Sequence, residues 1–243
     1  MHPVDLLWIP ASAVAAYDLV PDLLARRGPA AVRRGPAASG IVALSFDDGP
    51  HPELTPLVLE ALEAAAARAT FFMVGHNVRR HPELVRRVAA AGHAIGVHTD
   101  NHRHAWLCPP ARLRAEISGG LDAIRATVGA RPLWFRPPWG AFNAVSGRCA
   151  RDLGLRIALW SCDAGDWLPG TSRVAIEQRV VRGLEPGAII DLHDGGQTPA
   201  GCAAMVQALP AILAAARARG LRVDQIGALF DLPPLARPSN PER

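Results

Sequence analysis

The sequence predicts an α/β protein, a distorted (β/α) barrel with about seven parallel strands, and three observations support this prediction. Short apolar runs that favour strands alternate with longer segments of helical spacing. Polar clusters follow the apolar runs, at the positions where parallel strands would end. The chain has 243 residues and is 49% hydrophobic, which is enough to bury one sizeable core without division into several domains.

Seven apolar runs are the predicted strands. They are Ile41 to Phe46, Thr70 to Val74, Ala94 to Val97, Leu133 to Arg136, Leu155 to Trp160, Ala188 to Leu192 and Leu221 to Ile226. The predicted helices between them are Glu53 to Ala67, Pro82 to Ala91, Ala111 to Val128, Asn143 to Leu153, Ser172 to Gly183 and Ala203 to Arg219. We expect Pro210 to kink or restart the last helix, because proline lacks a backbone N–H. The regular alternation favours a closed or nearly closed barrel over an open sheet.

The barrel is predicted to occupy residues 40–231, after an N-terminal extension and linker at residues 1–39 and before a Pro-rich tail at residues 232–243. The uncharged stretch from Leu6 to Tyr17 is too short to span a membrane, so no transmembrane span is predicted. No Lys or Arg precedes Arg26, so the basic region of a secretory signal is missing. The sequence therefore leaves localisation open between a start further upstream, an atypical anchor and a cytoplasmic protein.

Composition argues against two other kinds of site. All 26 basic residues are Arg and the net charge is +4, but the Arg residues are scattered and only one Tyr could stack between them. Nucleic acid is therefore not an expected partner. The four cysteines are far apart and form no C-x-x-C pair, so we expect structural cysteines rather than a thiolate metal site. The sequence does not indicate the oligomeric state.

Polar clusters follow five of the predicted strands. Asp47 and Asp48 follow the first, His98 and His102 the third, Arg136 to Gly140 the fourth, Asp163 and Asp166 the fifth, and His193 the sixth. In a β/α barrel these carboxyl ends form the face that carries the active site. Loops on that face bring distant residues into one pocket, so we expect the five clusters to meet.

The histidines in the second cluster indicate a catalytic metal site. His98 and His102 are four residues apart, a spacing that places two imidazoles on the same side of a helical turn. One carboxylate of the Asp47 and Asp48 pair would complete a three-ligand site with an open position for water, which is typical of catalytic Zn²⁺. The same ligands suit Fe²⁺, Co²⁺ or Ni²⁺. We predict one divalent metal ion, with Zn²⁺ preferred.

The remaining clusters supply the groups that metal-assisted hydrolysis needs. The second carboxylate of the Asp pair is placed to remove a proton from water, and Arg136 could orient it and keep it ionised. His193 could protonate a leaving nitrogen if Asp166 holds and charges its ring. The residues therefore predict hydrolysis of an amide or an ester.

Five motifs in this order resemble the NodB-type polysaccharide deacetylases of carbohydrate esterase family four. They are S-F-D-D-G-P, H-T-x-x-H, R-P-P-W-G, D-x-x-D-W and the L-H of Asp191 to Asp194, and the resemblance runs from about Gly40 to Phe230. The family's usual fold is a distorted β/α barrel, which agrees with the strand count. Each motif alone is weak evidence, but five in order at strand ends are specific.

The resemblance implies roles for the metal and proton-transfer groups. By position, Asp47 would be the catalytic base, while Asp48, His98 and His102 would bind the metal. His193 would be the catalytic acid.

The resemblance also implies supporting roles. Arg136 would tether the base and Asp166 would tune the acid, while the backbone N–H of Trp139 would help to stabilise the oxyanion. Trp167 would help to wall the pocket for the acetyl methyl group, and Leu192 matches an apolar pocket-lining position.

Three residues depart from the family pattern. Trp139 stands where Tyr is usual, Val97 replaces a common Asn, and Asp191 replaces an apolar strand residue. None of these changes removes a catalytic group, but the last two would shift specificity or metal preference.

The resemblance implies deacetylation of amino sugars in a glycan or glycan precursor of a bacterium. Acetylxylan, acetylated polyamines and a lipid-linked sugar remain alternative substrates within related enzymes. A metal-binding or glycan-binding module that has lost turnover is a different class of hypothesis, as is a metal-dependent phosphodiesterase. The first would be favoured by loss of Asp47, Arg136 or His193, and the second by a further cluster of metal ligands.

Overall fold

The computed structural model describes residues 30–196 and 199–235, in which eight short parallel strands form one sheet. The strands are β1 (Ile41–Asp47), β2 (Thr70–Met73), β3 (Ala94–Val97), β4 (Trp134–Phe135), β5 (Arg156–Ile157), β6 (Cys162–Asp163), β7 (Ile189–His193) and β8 (Arg222–Asp224). The α-helices are α1 (Leu54–Ala64), α2 (Gly75–Arg80), α3 (Pro82–Ala90), α4 (Pro110–Val128), α5 (Ala144–Asp152), α6 (Arg173–Gly183) and α7 (Pro199–Ala218).

The sheet curves into a distorted barrel. Its strand order is β5, β4, β3, β2, β1, β7, β6, and β8 pairs with the first half of β1. The two ends of this order, β5 and β6, are consecutive pieces of one extended segment, which pairs with β4 at one end and with β7 at the other. Counted as one strand, this segment gives seven parallel strands, and the predicted fold class is confirmed.

Two details of the predicted strands and helices were wrong. The single strand predicted from Leu155 to Trp160 is interrupted, because the chain leaves β4 and continues in β6, where it pairs with β7. The short helix α2 was missed. Helix α7 continues through Pro210, so of the two outcomes expected there, a kink or a restart, the restart does not occur.

The segment before β1 pairs with the barrel. The Val32 N–H donates to the Ile157 carbonyl oxygen at 2.8 Å, and the Leu159 N–H donates to the Val32 carbonyl oxygen at 2.7 Å. On the other side the Gly35 N–H donates to the Gly187 carbonyl oxygen at 2.7 Å. The end of the predicted linker is thus ordered against the extended segment and the start of β7. The stretch from Leu6 to Tyr17 and the end of the Pro-rich tail lie outside the described residues, and the domain boundaries remain a prediction.

Alternation along the strands separates the core from the site. In β1, Val42, Leu44 and Phe46 point into a large core cluster shared with the helices, whereas Ile41 and Ala43 belong to a smaller cluster on the opposite face. Ser45 and Asp47 share that second face, because successive side chains of a strand point to opposite sides. The inner face therefore changes from apolar to polar toward the carboxyl ends of the strands.

One helix within the described residues, Ala200–Ala218, is long and apolar enough to cross a membrane. It packs against α1 and α6 and contacts β7 and β8. Burial against these elements explains its apolar composition. The absence of a transmembrane span stays a prediction.

Candidate active site

Asp48, His98 and His102 bring three metal-binding atoms to one point. Asp48 follows β1, and the two histidines lie in the loop after β3. Asp48 Oδ1 lies 2.9 Å from His102 Nε2 and 3.4 Å from His98 Nε2, and potential ligand atoms of all three residues lie within 4.8 Å of one another. The structure therefore brings together the three predicted ligands, which we call the donor triad.

The hydrogen bonds around the donor triad fit a metal ion. His98 Nδ1 lies 2.8 Å from the Arg136 carbonyl oxygen, which can only accept, so Nδ1 carries the hydrogen and Nε2 presents a lone pair. Asp48 Oδ1 is buried and has no hydrogen-bond donor in the described part of the chain. Burial raises the pKa of Asp48, but the imidazoles of His102 and His98 outweigh it and keep the pKa well below its usual range. An ionised carboxylate and two imidazole lone pairs suit a divalent metal.

The backbone at the donor triad is strained. Non-glycine residues with positive φ include Asp48 at 71°, Thr99 at 63° and His102 at 52°. The two imidazoles thus converge through an irregular loop and not through the helical turn that their spacing suggested. Strain of this kind costs about 1–3 kcal/mol per residue and persists where surrounding contacts hold it, typically at functional sites.

Glu116, a buried residue of α4, holds this loop in place. Its carboxylate accepts the Asn101 backbone N–H at 2.7 Å and the Asn101 side-chain amide at 3.1 Å. Arg112 pairs with the same carboxylate at 3.1 Å. Asn101, which directly precedes the ligand candidate His102, is therefore anchored to a helix.

Arg136 is fully buried and connects Asp47, the carboxylate of the Asp pair that is not in the donor triad, to the barrel. Its Nη1 donates to Asp47 Oδ1 at 2.7 Å, and its Nη2 donates to Ser45 Oγ at 2.9 Å. The guanidinium also packs over the Phe72 ring at 4.2 Å. Asp47 Oδ2 lies 3.7 Å from His98 Nε2, next to the donor triad. Arg136 therefore fixes one oxygen of Asp47 and leaves the other facing the triad.

Asp191, which the sequence analysis treated only as a departure from the family pattern, is part of this network. It accepts from Arg136 Nη1 at 2.6 Å and is buried. Burial and the charge of Asp47 raise the pKa of Asp191 well above its usual range, against the opposing effect of Arg136. The sequence did contain a signal that Asp191 faces the site: it lies two residues before His193 on β7, and residues two apart share a strand face.

His193 and Asp166 form the predicted second pair. His193 Nδ1 lies 2.9 Å from Asp166 Oδ1, and the His193 backbone N–H donates to Asp166 Oδ2 at 2.7 Å. Burial lowers the pKa of His193, but the hydrogen bond to Asp166 and the charges of Asp191 and Asp47 raise it by more, so it lies well above its usual value. These contacts favour the protonated form of His193, and because Nδ1 bonds Asp166, Nε2 is the ring nitrogen that can face a substrate.

A cavity of about 950 Å³ is lined by the donor triad, by Asp47, Asp191 and His193, and by three tryptophans, Trp139, Trp160 and Trp167. Trp139 has a φ of 56° and is the second residue of the 3-10 helix Pro138–Gly140, so its N–H precedes the first bond of that helix, from the Gly140 N–H to the Pro137 carbonyl oxygen. Such leading N–H groups lack an intrahelical partner. Trp139, a residue of the cavity wall, therefore has a backbone N–H that the 3-10 helix does not use.

Asp163 lies at the cavity, whereas Leu192 does not. Trp167 Nε1 donates to Asp163 Oδ1 at 3.2 Å, so Asp163 positions the tryptophan at the cavity rim. Leu192 is fully buried in the large core cluster, on the face of β7 opposite His193. It is not among the described residues that line the cavity, so the expectation that Leu192 lines the pocket is not met.

Asp194 is a buried carboxyl that sequence reasoning did not select. It accepts from Thr55 Oγ1 at 2.5 Å, while its Oδ1 has no partner among the described residues. Burial raises the pKa of Asp194 to about 7. The H-D dipeptide at the end of β7 was the only signal in the sequence.

Comparison with known proteins identifies the family. The family model described as polysaccharide deacetylase matches residues 34–158. The chain belongs to the polysaccharide deacetylase family. A peptidoglycan-N-acetylglucosamine deacetylase from Bacillus cereus is 39% identical over 193 residues, which cover 78% of this chain and 88% of that relative.

Two solved structures of this family share the fold. A crystal structure of a peptidoglycan N-acetylglucosamine deacetylase bound to an N-hydroxybenzamide compound has a TM-score of 0.81 and 30% identity, with coverage of 88% of this deacetylase and 98% of that chain. A pseudoenzyme of carbohydrate esterase family four from Bacillus anthracis has a TM-score of 0.76 and 25% identity, with coverage of 84% and 70%. Likeness of fold thus extends to active and inactive members.

Proposed function

We propose that this deacetylase is a metal-dependent hydrolase that removes N-acetyl groups from amino sugars of a glycan or glycan precursor, with Zn²⁺ as its metal. One observation carries the proposal: a carboxylate held by Arg136 and a protonated imidazole held by Asp166 lie beside the donor triad in one cavity. The two groups are suited to opposite proton transfers. The N-acetylglucosamine deacetylases named above support the amino sugar as substrate.

Asp47 is the proposed base. Its Oδ1 is occupied by Arg136, whereas its Oδ2 faces the donor triad and can accept a proton. The guanidinium favours the ionised form of a carboxylate, as a base requires. As Asp47 takes a proton from water, the water oxygen adds to the acetyl carbonyl carbon.

His193 is the proposed acid. A ring nitrogen of His193 and carboxylate oxygens of Asp47 and Asp191 lie within 4.8 Å of one another, so acid and base can act on the same bond. The carbon–nitrogen bond breaks as His193 Nε2 gives its proton to the nitrogen, and the products are acetate and a free amine. Asp166 keeps the ring oriented and stabilises its charge.

Two groups would stabilise the negative oxygen that develops on the carbonyl. The Trp139 N–H is a backbone donor at the cavity wall, and such donors contribute about 3 kcal/mol or more to catalysis when they face the oxyanion. A divalent metal held by Asp48, His98 and His102 would polarise the carbonyl and lower the pKa of water. Zn²⁺ is proposed, and Co²⁺, Ni²⁺ and Fe²⁺ suit the same donors.

The site argues against the two competing hypotheses, a non-catalytic binding module and a metal-dependent phosphodiesterase. The groups that a non-catalytic module would have lost, Asp47, Arg136 and His193, are present and connected by hydrogen bonds. The other cluster of possible ligands found in the described part of the chain joins Asp47, Asp191 and His193. Arg136 and a protonated imidazole already balance these carboxylates, which disfavours the second metal that a phosphodiesterase would use.

Acetate release from a panel of substrates tests the proposal. Metal-loaded protein is incubated with N-acetylglucosamine oligomers, peptidoglycan fragments, acetylxylan and acetylated polyamines. We expect acetate from the first two. Asp47→Asn is the matched control, and it should keep the metal yet lose on the order of 10²-fold or more in turnover, because it removes a proton-transfer group. Activity confined to xylan or polyamines would refute the amino-sugar proposal.

A further inference from the structure

One wall of the cavity carries basic side chains that the proposed mechanism does not use. His76 and Arg80 come from α2, His81 lies between α2 and α3, and His51 comes from the loop between β1 and α1. We call these four residues the basic wall. His76 and Arg80 are four residues apart, so they share one face of the helix. The basic wall borders the same cavity as the reacting groups and is therefore within reach of another part of the substrate.

Arg80 provides the permanent positive charge of the basic wall. It is exposed, and its guanidinium forms no ion pair or hydrogen bond with another residue in the described part of the chain. Its neighbour Arg79 is not among the described residues that line the cavity, and it pairs with Asp100 at 2.7 Å. A positive charge that lacks a partner at the wall of a cavity attracts anionic ligands.

The described carboxylates that line the cavity have other partners. Asp47 and Asp191 share Arg136, at 2.7 Å and 2.6 Å, and Asp163 accepts from Trp167 Nε1 at 3.2 Å. The remaining carboxylate belongs to the donor triad. None of them forms an ion pair with the basic wall, so an anion from outside the described chain would be its first partner.

The basic wall is held in place before any ligand binds. Asn77 Nδ2 donates to the Asp48 carbonyl oxygen at 2.9 Å, and the His81 N–H donates to the Asn77 carbonyl oxygen at 3.0 Å. His51 Nδ1 accepts the Glu53 backbone N–H at 3.2 Å, so in the neutral ring Nε2 carries the hydrogen and can donate. A fixed surface loses little entropy on binding, which favours affinity.

We propose that the basic wall binds an anionic group, a carboxylate or a phosphate, on the sugar unit next to the one that loses its acetyl group. This inference rests on the proposed function, since it requires an amino sugar in the cavity. The planar guanidinium of Arg80 presents paired N–H groups that match the oxygens of either anion, and the histidine rings add N–H donors.

The basic wall distinguishes among the substrates considered above. Acetylated polyamines are cationic and would be repelled by Arg80. Acetylxylan and oligomers of N-acetylglucosamine have no charge for it to bind. Peptidoglycan carries a lactyl carboxylate on every second sugar, and a lipid-linked sugar carries phosphate. The basic wall therefore favours an acidic amino-sugar glycan or precursor over a neutral polymer.

Two disaccharides that differ in one charge test the inference. The first joins N-acetylglucosamine to N-acetylmuramic acid, whose lactyl group bears a carboxylate, and the second is its neutral methyl ester. The ratio of kcat/KM for acetate release, acid over ester, should exceed one in the native protein. Arg80→Gln should lower this ratio about three- to fivefold, the effect of one exposed ion pair. Arg80→Lys, which keeps the charge, should recover most of it.

A second pair of substrates distinguishes the two anions. Diacetylchitobiose 1-phosphate is compared with unphosphorylated diacetylchitobiose in the same variants. An Arg80-dependent preference for the carboxylate supports a site for peptidoglycan-like chains, and one for the phosphate supports a site for a phosphorylated precursor. Unchanged ratios in Arg80→Gln for both pairs would overturn the inference. Arg80→Lys behaving like Arg80→Gln would also overturn it, because loss of packing and not of charge would then explain the effect.

Arg87→Gln is the matched control. Arg87 is exposed on α3, has no ion pair in the described part of the chain and is not among the described residues that line the cavity. The substitution removes the same charge from the surface and should leave both ratios unchanged. An equal loss in Arg87→Gln and Arg80→Gln would overturn the inference, since the net charge of the protein would then explain the preference.

Failure of the proposed function would look different. In that case the metal-loaded native protein would release no acetate from any of the four disaccharides. Calorimetric binding of the acid and of its methyl ester then tests the basic wall without turnover. Tighter binding of the acid by native protein, lost in Arg80→Gln, supports the site. Equal affinity for acid and ester, or no binding of either, overturns it.

Discussion

Replacing Asp166 by Asn should lower the pKa of His193 and move the loss of activity at high pH to lower pH. Asp166 is fully buried, and it contacts both the His193 ring and the His193 backbone N–H, at 2.9 Å and 2.7 Å. Its hydrogen bond is the largest of the contributions that raise the pKa of His193 against burial. The Asn side chain keeps the shape and removes the charge.

The magnitude follows from the geometry. Two unit charges about 4 Å apart interact by about 4 kcal/mol at an effective dielectric constant of about 20, and about 1.36 kcal/mol corresponds to one pH unit. The loss of the Asp166 charge can therefore lower the pKa of His193 by at most about three pH units. Asp191 and Asp47 still raise the pKa, and an amide oxygen can still accept from Nδ1, so we expect a fall of about one to two units.

Two measurements check this prediction. The alkaline limb of the kcat/KM profile should move down, and turnover near neutral pH should fall while turnover at lower pH is retained. NMR titration of the His193 ring in the metal-free protein should show the same shift. Asp163→Asn is the matched control, because Asp163 ends β6 three residues before Asp166 but bonds Trp167. An alkaline limb that stays in place in Asp166→Asn would refute the assignment of His193 as the acid that Asp166 charges.

Three further predictions follow from the same contacts. His102→Ala should remove both metal and turnover, and full metal occupancy by elemental analysis would contradict the donor triad. Arg136→Leu should lower the free energy of unfolding by about 3–5 kcal/mol in urea titrations, because it leaves the buried carboxylates of Asp47 and Asp191 unpaired; a loss below about 1 kcal/mol, the scale of an exposed ion pair, would contradict this. Burial raises the pKa of Asp194 to about 7, so its contribution to stability is full below the unfolded value of about 4 and is lost as pH rises through about 7. The stability of metal-free native protein relative to Asp194→Asn should therefore fall over that pH range, and a constant difference would argue that Asp194 is ionised throughout.

The inner and outer faces of β7 show where sequence reasoning succeeded and where it stopped. The apolar run and its position before His193 predicted a strand that ends at the site, and the strand is there. The sequence did not say which face of that strand meets the helices. The structure places Leu192 in the core and Asp191 beside Arg136, because the barrel closes around one face only.

The extended segment from Arg156 to Asp163 shows a second limit. Its apolar residues predicted one strand, but its two ends pair with different neighbours, β4 and β7. Pairing partners depend on the curvature of the whole sheet, which local sequence does not encode. The rings of His104 and Trp139 are a similar case, since the two residues are remote in the chain and meet only through the loops after β3 and β4.

By itself the sequence determined the order of most strands and helices and the chemical groups at the strand ends, because hydrophobic periodicity and residue chemistry are local properties. It also predicted that Asp48, His98 and His102 would meet. Only the tertiary structure decided which atoms meet: the Arg136 carbonyl oxygen sets the tautomer of His98, and Asp166 bonds both Nδ1 and the backbone N–H of His193. Such choices depend on distances of a few ångströms between residues remote in the chain, and only the closed barrel fixes those distances.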